Sequence, residues 1–361
     1  MKALVLGRGK SGTAAAALLR AQGCEVEFAD GYDLVVTSPG IPVKSELQLG
    51  CEELKRRGWK LLAVTGSKGK SSVVKLVADA IGGVPCGNYG RPVTDLVSEK
   101  PGWAVVEVSS FQLETTTLPP DTFEAAAILN LQEDHLDRHG SVGVYHGLKR
   151  KLMTFATERF VNGEGPSGHE DGRSSDCPWK GSYFDNEILS ENAAAAVGLM
   201  RVAGLDEVAI RRAFAEFKPL PHRMNLVAEI DGVRYVDDSK ATSIAALVAG
   251  VRMASGKVRL IAGGLPKGDD PKTARSALTE RVKKVYLIGQ SAEAIFAAWN
   301  GAVDCEICGT MDRAVAAARR DAEEGETVLL SPGTASFDQF KSFGERGDVF
   351  ARLVKKEGQP K

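Results

Sequence analysis

The sequence lacks a long hydrophobic run and a secretory leader. A membrane-spanning helix needs about 20 consecutive apolar residues, and no stretch of the 361-residue chain approaches that length. The N-terminus is a short apolar stretch that runs directly into a glycine turn, without the apolar core and cleavage site of a signal peptide. We therefore expect a cytoplasmic protein that has no membrane partner.

Cysteine is also scarce, with six residues in the whole chain. Cys305 and Cys308 form a single Cys-x-x-Cys pair, and none of the five histidines lies near it in sequence. A structural zinc site would need a second pair or suitably spaced histidines. We interpret the spacing as chance and the cysteines as free thiols of a reducing compartment.

The chain carries no excess of either charge, since its formal net charge is −1. Proteins that bind nucleic acid usually present a basic surface, so we expect no nucleic-acid partner. The apolar fraction of 43% and the charged fraction of 26% are those of an ordinary globular protein. The length of 361 residues favours two or three domains.

Strand and helix patterns alternate along most of the chain, which predicts an α/β fold with parallel sheets and ligands at the carboxyl ends of the strands. We divide the chain into segments 1–60, 61–217 and 218–361. The last boundary is marked by Lys218-Pro219-Leu220-Pro221. Residues 161–182 are rich in Gly, Ser, Asp and Pro and predict an exposed loop. Residues 186–203 follow as an alanine-rich helix.

The most informative segment is Thr-Gly-Ser-Lys-Gly-Lys-Ser-Ser at 65–72, directly after the apolar run 61–64. Glycines let the backbone curl so that its N–H groups face phosphate, the lysine places a charge on the β- and γ-phosphates, and a hydroxyl can bind Mg²⁺. Only two residues separate the glycines, fewer than in the common phosphate loop. An ordinary turn between a strand and a helix is the alternative. The candidate ATP-binding residues are Gly66, Ser67, Lys68, Gly69, Lys70, Ser71 and Ser72.

A second glycine turn lies near the N-terminus, at Gly7, Gly9 and Gly12. It is similar to a dinucleotide-binding turn, and Asp30, after the next strand, could bond a ribose. A tight packing turn explains the glycines equally well.

Polar residues follow two further strands of the middle segment. Glu107 ends a strand, where a carboxylate beside a phosphate loop could hold Mg²⁺; a solvated strand end is the alternative. Residues 130–139 form the densest polar cluster, in which His135 could bind a second metal ion or orient a substrate. The basic run at 149–151 is, by itself, most simply a surface cluster.

Three successive strands of the last segment also end in polar loops. These loops are 237–242, 263–268 and 331–340, and they supply cations, hydroxyls and carboxylates. Pro221-His222-Arg223 opens the segment, and an arginine there could stack on a base. We expect the three loops to form one site.

Taken in order, the strings at 65–72, 107–114, 130–139, 238–242 and 335–341 resemble the Mur ligase family. The last four are nearly verbatim for the branch that attaches D-glutamate, while Ser67 and Lys68 depart from the usual phosphate loop of the family. The resemblance covers almost the whole chain. It implies a Rossmann-like N-terminal domain at 1–60, a central P-loop ATPase-type domain at 61–217 and a Rossmann-like C-terminal domain at 218–361. It also implies a monomer that acts on small-molecule substrates.

The activity implied is an ATP-dependent amide ligation that joins D-glutamate to UDP-N-acetylmuramoyl-L-alanine through an acyl phosphate, with two Mg²⁺ sites. Lys70, His135 and a carbamylated Lys149 would be catalytic, which replaces the surface-cluster interpretation of Lys149. The implied metal ligands are Ser71, Glu107, His135 and Lys149. The implied further ATP contacts are Asn192, Arg223, Asp238 and Lys240. The implied UDP-substrate contacts are Gly7, Gly9, Lys10, Ser11, Gly12, Asp30, Ser38, Gly40 and Asn88. The implied D-glutamate contacts are Thr242, Lys267, Ser336, Phe337 and Phe343.

Two departures from the family pattern keep other functions open. The short interval between Asp30 and Asp33 leaves no room for the βα unit usually found there, and the stretch between Lys149 and Asn192 is abbreviated. A related ligase with another acceptor or amino acid is therefore one alternative. A non-catalytic nucleotide-binding homologue is another, although it would not need Lys149.

Overall fold

The computed structural model describes residues 1–31, 43–133, 135–162, 177–186 and 189–357. The described chain divides into two compact units, of which the first ends at Phe217 and the second continues from Lys218. The further division of the first unit at residue 60 stays a prediction. None of the helices in the described ranges is long and apolar enough to cross a membrane.

The first unit contains two parallel sheets. Its strands are β1 (Lys2–Leu6), β2 (Glu25–Ala29), β3 (Lys60–Thr65), β4 (Val84–Gly87), β5 (Trp103–Glu107), β6 (Phe123–Ile128) and β7 (Ala156–Val161). Its α-helices are α1 (Lys10–Ala21), α2 (Glu46–Arg56), α3 (Lys70–Ile81), α4 (Ser110–Thr115), α5 (Leu136–His139), α6 (Val142–Lys151), α7 (Ser190–Val202) and α8 (Glu207–Glu216). Short 3₁₀ helices span Val93–Ser98 and Leu152–Phe155.

The larger sheet of this unit has the order β4-β5-β3-β6-β7, with every neighbouring pair parallel. Its three central strands, β5, β3 and β6, are nearly continuous runs of buried, mostly apolar residues, as expected when helices cover both faces. β3 lies at the centre, so the loop that follows it opens between the ends of β5 and β6. This is the place where α/β sheets bind ligands.

The N-terminal sheet contains only β1 and β2. Helix α1 covers one face, while Leu4 and Leu6 of β1 are exposed. Leu18 of α1 packs into the same hydrophobic cluster as the larger sheet. Helix α2, which begins at the N-cap Ser45, contributes its buried face to that cluster too.

The second unit is built on one six-stranded sheet. Its strands are β8 (Asn225–Ile230), β9 (Val233–Asp237), β10 (Val258–Gly263), β11 (Val282–Ile288), β12 (Asp304–Gly309) and β13 (Thr327–Leu330). Its α-helices are α9 (Ile244–Met253), α10 (Arg275–Arg281), α11 (Ala292–Trp299), α12 (Met311–Asp321) and α13 (Phe343–Glu357), and a 3₁₀ helix spans Pro271–Ala274.

The strand order of this sheet is β12-β11-β10-β13-β9-β8, and only β8 runs antiparallel to its neighbour. Alternate residues of β10, β11 and β13 point into two separate clusters, one against α9, α10 and α11 and the other against α12 and α13. Cys305 contacts the first cluster, whereas Cys308 belongs to the second. The Cys-x-x-Cys pair therefore spans opposite faces of β12 and forms no joint site.

The predicted α/β class is confirmed, and the apolar run at 61–64 lies within β3. The predicted substrate contacts Ser38 and Gly40 fall outside the described residues. The prediction that residues 161–182 form an exposed loop is wrong for Cys177 and Trp179, which are buried. Trp179 packs on Phe214 of α8, with ring centroids 6.0 Å apart.

Candidate functional site

The phosphate loop joins the end of β3 to the start of α3. Gly66 has φ 153° and Gly69 has φ 83°, and both conformations favour glycine. A Cβ on Gly69 would also lie 2.1 Å from Nδ2 of Asn192. The two glycines are therefore required by backbone conformation, and Gly69 by close packing as well.

Helix α3 begins with no side-chain cap from the described residues, since its N-cap is Gly69. Its first N–H groups and its dipole therefore remain available to an anion. Nζ of Lys70 donates to the carbonyl oxygens of Gly66 (2.8 Å) and Ser67 (3.1 Å). The ammonium group thus lies over the loop, and Ser71 follows it in the first turn.

Two asparagines from elsewhere in the unit hold the loop. Asn130, two residues beyond β6, accepts at Oδ1 from the N–H of Lys68 (2.8 Å) and donates through Nδ2 to the Lys68 carbonyl (2.9 Å). The same Nδ2 donates to Oδ1 of Asn192 (3.0 Å). Asn192 is buried in α7, and its Nδ2 finds no hydrogen-bond partner among the described residues. The sequence placed Asn130 in a polar cluster but did not single it out.

Lys149 is buried, with 1% of its surface exposed, and is not part of a surface basic cluster. Its Nζ donates to the carbonyl of Gly66 (2.9 Å) and lies 4.5 Å from the ring centroid of Tyr145. The Tyr145 hydroxyl in turn donates to Oγ of Ser67 (3.1 Å). Helix α6 therefore contacts the phosphate loop through two side chains, of which the sequence identified only Lys149.

Glu107 is buried at the carboxyl end of β5, where it pairs in register with Val64 of β3. Its Oε1 accepts from Nδ2 of Asn88 (2.7 Å), while its Oε2 is buried and has no partner among the described residues. The structure thus joins Asn88 to Glu107, whereas the N-terminal glycine turn lies on the separate two-stranded sheet. An orphaned carboxylate oxygen next to a phosphate loop suits a cation.

His135 is exposed and has φ 52°, and its ring lies edge-on to Phe111 at 5.0 Å between centroids. Its carbonyl accepts from the N–H of His139 (3.0 Å). The buried His139 is fixed on both sides, by Ser110 Oγ at 3.0 Å and by Glu114 Oε1 at 3.2 Å. Within the described ranges, no group of three or more His, Cys, Asp or Glu side chains is placed to hold a metal ion.

The N-terminal turn brings its predicted residues together, and one of them, Asp30, is paired with Arg8 of the turn itself. Gly7 has φ 89°, a conformation that favours glycine, and a Cβ on Gly12 would lie 2.0 Å from the Gly7 carbonyl oxygen, so Gly7 is needed for backbone conformation and Gly12 for packing. Asp30 accepts from Nε of Arg8 (2.6 Å). Gly9, Lys10 and Ser11 lie exposed in this turn and at the start of α1.

The second unit gathers its predicted residues at the carboxyl edge of β9, β10 and β13. Asp238 is buried, and its Oδ2 accepts from Oγ of Ser331 (2.9 Å) while its Oδ1 accepts from the N–H of Met224 (3.3 Å). Burial raises the pKa of Asp238 to about 7, with a smaller contribution from the neighbouring charge of Asp237. Arg223 lies half-buried next to the strained His222, which has φ 61°.

The other predicted residues differ in how exposed they are. Nζ of Lys240 lies 4.1 Å from the ring centroid of Phe343, while Ser336 is buried and Phe337 is 70% exposed. Lys267 is exposed in the loop after β10, and Thr242 is half-buried in the loop after β9. A bridge between Leu265 and Ala335 joins the loops after β10 and β13.

Arg346 of α13 is a structural residue that the sequence did not reveal. It is fully buried, and its guanidinium donates to the carbonyls of Ser239 (2.9 Å), Ala335 (3.1 Å) and Thr334 (3.2 Å) and to Ser239 Oγ (3.0 Å). Burial lowers its pKa to about 10. One side chain thus fixes the loops after β9 and β13 to each other.

Two family descriptions match this chain: "Mur ligase middle domain" over residues 91–168 and "Mur ligase, glutamate ligase domain" over residues 222–333. The chain is 34% identical to the UDP-N-acetylmuramoylalanine–D-glutamate ligase of Acidobacterium capsulatum, covering 98% of this chain and 96% of that protein. It is 35% identical to the enzyme of the same name from Jannaschia sp., covering 98% of both. These alignments extend over 454 and 457 positions, so both relatives contain segments that this 361-residue chain lacks.

Two solved structures share the fold at low sequence identity. One is a UDP-N-acetylmuramoyl-L-alanyl-D-glutamate–2,6-diaminopimelate ligase, with a TM-score of 0.61, 18% identity and coverage of 100% of this chain and 93% of that one. The other is a MurF ligase from Thermotoga maritima in complex with ADP, with a TM-score of 0.62, 16% identity and coverage of 99% and 95%.

Proposed function

The chain belongs to the Mur ligase family, and from that premise we propose that it is the ATP-dependent ligase that joins D-glutamate to UDP-N-acetylmuramoyl-L-alanine in peptidoglycan precursor synthesis. The observation that carries the proposal is a lysine-bearing phosphate loop with two buried ionisable groups beside it. Lys149 donates to the loop carbonyl of Gly66, and Glu107 ends the strand beside β3. A module that only bound nucleotide would not need Lys149 there.

The reaction proceeds in two steps. A carboxylate oxygen of the UDP substrate bonds to the γ-phosphorus of ATP as the bond to the bridging oxygen breaks, which gives an acyl phosphate and ADP. The amine of D-glutamate then attacks the acyl carbon, and the tetrahedral intermediate expels phosphate as the amine loses its proton. The protein contributes by positioning the reactants and by neutralising phosphate charge.

The phosphate loop supplies that neutralisation. The N–H groups at the start of α3 would face the triphosphate, while those of Ser67 and Lys68 stay bonded to Asn130. Lys70 would exchange its carbonyl contacts for phosphate oxygens. Asn192 holds the nucleotide from α7. We assign Arg223 to the adenine, Asp238 to the ribose and Lys240 to a phosphate.

Magnesium fits the residues of the first unit. Glu107 has a buried oxygen that finds no partner among the described residues, and Ser71 carries a hydroxyl at the start of α3. Mg²⁺ is commonly held by one or two carboxylates together with substrate phosphates and water, so the few acidic side chains here suffice for it. The ion would neutralise charge on the phosphates, and we assign His135 to a second site.

Lys149 fits the role of a carbamylated ligand of that second site. A carbamate forms when the lysine amine adds to CO₂ and loses a proton, and its nitrogen keeps one N–H. That N–H could still donate to the Gly66 carbonyl, so the observed contact survives the modification. The new carboxylate would add an anionic oxygen ligand beside the loop.

The two substrates are assigned to groups that lie at strand ends. The D-glutamate residues are Thr242, Lys267, Ser336, Phe337 and Phe343. Lys267 and the hydroxyls would hold the two carboxylates of D-glutamate. The UDP-substrate residues in the described chain are Gly7, Gly9, Lys10, Ser11, Gly12, Asp30 and Asn88. A monomeric state and a cytoplasmic location remain part of the proposal.

The test is ADP release from purified, folded protein given ATP, Mg²⁺, UDP-N-acetylmuramoyl-L-alanine and D-glutamate. We expect ADP release that requires both substrates, with Lys70→Ala as the inactive control. Absence of turnover with this pair would refute the proposal.

A ligase with another acceptor is the second candidate. It is favoured by the N-terminal sheet, in which only β1 and β2 are present among the described residues, and by the internal pairing of Asp30 with Arg8. A screen of amino acids against several UDP-sugar acceptors separates the two candidates, since only one pair should give efficient turnover.

A further inference from the structure

We propose that Asn130 is a positioning residue that fixes the phosphate loop in its ATP-binding shape and ties it to Asn192. The inference rests on the proposed function, because it assumes that the loop binds ATP. Asn130 follows β6, the strand directly beside β3, and its contacts all lie within the first unit.

Asn130 holds the loop at two successive residues between the glycines. Its side chain accepts from the Lys68 N–H at 2.8 Å and donates to the Lys68 carbonyl at 2.9 Å, while its own carbonyl accepts from the Ser67 N–H at 3.0 Å. The pair of side-chain bonds at Lys68 needs a donor and an acceptor in one planar group. An amide provides both, whereas a carboxylate only accepts.

The second N–H of the same amide reaches a different element. It donates to Oδ1 of Asn192, 3.0 Å away on α7. This bond sets the orientation of the Asn192 amide, so that Nδ2 of Asn192 lies against Gly69, buried and without a hydrogen-bond partner among the described residues. Buried polar atoms are rarely left unpaired, and an unpaired donor at a phosphate loop suits an acceptor atom of the nucleotide.

The consequence for binding follows from conformational entropy. A loop with two glycines in four residues is flexible on its own, and ordering it when ATP arrives would reduce affinity. Asn130 orders the loop before ATP binds, so its loss should weaken ATP binding specifically and leave the affinity for the other substrates unchanged.

Asn162 provides a matched control on the neighbouring strand end. Its Nδ2 donates to the carbonyls of Leu129 and Glu191, the residues just before Asn130 and Asn192. Asn162 therefore also links the end of the sheet to the start of α7, but its hydrogen bonds do not involve the phosphate loop. A purely structural role would make the two asparagines equivalent.

The experiment measures the Kd for ATP, the KM of each substrate and thermal stability for the wild type, Asn130→Ala, Asn130→Asp and Asn162→Ala. We expect Asn130→Ala to raise the Kd and KM for ATP at least about tenfold, with the KM of D-glutamate and of the UDP substrate within about twofold. Asn130→Asp keeps the volume and one bond but loses both donated bonds, so its ATP affinity should fall at least as far. Asn162→Ala should lose thermal stability and keep the wild-type Kd for ATP.

The outcomes separate this inference from the function on which it rests. If the wild type binds ATP and both Asn130 variants bind it as tightly, the inference is wrong and the function stands. Equal increases in Kd for Asn130→Ala and Asn162→Ala also overturn it. A wild type that neither binds nor turns over ATP refutes the proposed function instead. Should Asn130→Ala fail to fold, Asn130→Asp decides the question.

Discussion

Replacing Gly69 by alanine should destabilise the first unit more than the same replacement at Gly82. These glycines flank the two ends of α3, and both have left-handed conformations, with φ of 83° and 62°. A Cβ at Gly82 would meet nothing within 4 Å, whereas one at Gly69 would lie 2.1 Å from Nδ2 of Asn192. The pair therefore separates backbone strain from steric conflict within one helix.

The difference in unfolding free energy between the two variants follows from the effects that the two positions share and those that only Gly69 has. Alanine in a left-handed conformation costs about 1–2 kcal/mol, and alanine also lowers the entropy of the unfolded chain. Both effects apply at each end and cancel in the comparison. Gly69→Ala must in addition displace the buried Asn192 amide and break its bond to Asn130. Disrupting such a buried hydrogen bond costs about 1–3 kcal/mol, which is the expected difference in unfolding free energy.

Tryptophan fluorescence can follow the unfolding of the first unit alone. Three of the four tryptophans lie in that unit and one in the second: Trp59, Trp103, Trp179 and Trp299. In a Trp299→Phe background, denaturant unfolding reports the free energy of the first unit for each variant. ATP affinity should fall only for Gly69→Ala, because the C-terminal end of this 12-residue helix is about 18 Å from the loop.

A double substitution tests the cause. In an Asn192→Ala background the obstructing amide is absent, so Gly69→Ala should cost no more than Gly82→Ala. The reasoning is refuted if the two glycine variants differ by less than about 0.5 kcal/mol in the wild-type background. It is also refuted if the full difference persists without the Asn192 amide, since the two positions would then not be coupled.

Three further predictions concern buried charges. The pKa of Asp238 is about 7 in the fold and 3.8 in the unfolded chain, so between these values only the native state keeps the carboxyl proton. The free energy of unfolding should therefore fall as pH rises through this window, by up to about 4 kcal/mol. Asp238→Asn should flatten this decline in unfolding measurements at pH 5 and pH 8. Arg346→Met removes the donor to three buried carbonyls, of which that of Ala335 keeps the N–H of Leu265 while those of Ser239 and Thr334 are left unpaired among the described residues. It should destabilise the second unit by at least about 3 kcal/mol in denaturant titrations, whereas the exposed Arg352→Met on the same helix should change it by less than about 0.5 kcal/mol. Lys149→Ala should abolish ligase activity. Added Mg²⁺ should not restore the activity, whereas a short carboxylic acid that takes the place of the carbamate should restore part of it. Recovery with Mg²⁺ alone would contradict the carbamate role of Lys149.

Much of the fold could be predicted because local signals agreed with the global structure. The apolar run before Gly66 became the central strand β3, and the alanine-rich helix predicted at 186–203 contains α7 (Ser190–Val202). These segments combine a clear hydrophobic pattern with glycine or serine at their ends. The strand β8 was missed, because its alternation of buried and exposed residues is weak and it pairs antiparallel at the sheet edge.

The internal connections of the site could not be predicted in the same way. Arg346 donates its hydrogen bonds to main-chain carbonyls of loops that are distant in sequence, and no residue spacing predicts a main-chain acceptor. Asn130 belongs to a recognised polar cluster and Tyr145 lies one helical turn before Lys149, but their hydrogen bonds to the phosphate loop depend on the order of strands in the sheet. The bond between Asn88 and Glu107 could not be predicted either, because Asn88 follows β4 and Glu107 ends β5, and these strands become neighbours only in the folded sheet.

The position of Lys70 has a consequence for the heat of nucleotide binding. Its ammonium group already rests on two carbonyls of its own loop, so the side chain is confined before a phosphate arrives. A free lysine loses up to about 2 kcal/mol of rotamer entropy on being fixed, and here most of that loss occurs during folding. The affinity of the loop for phosphate should then depend mainly on enthalpy, through the exchange of neutral carbonyl acceptors for charged phosphate oxygens.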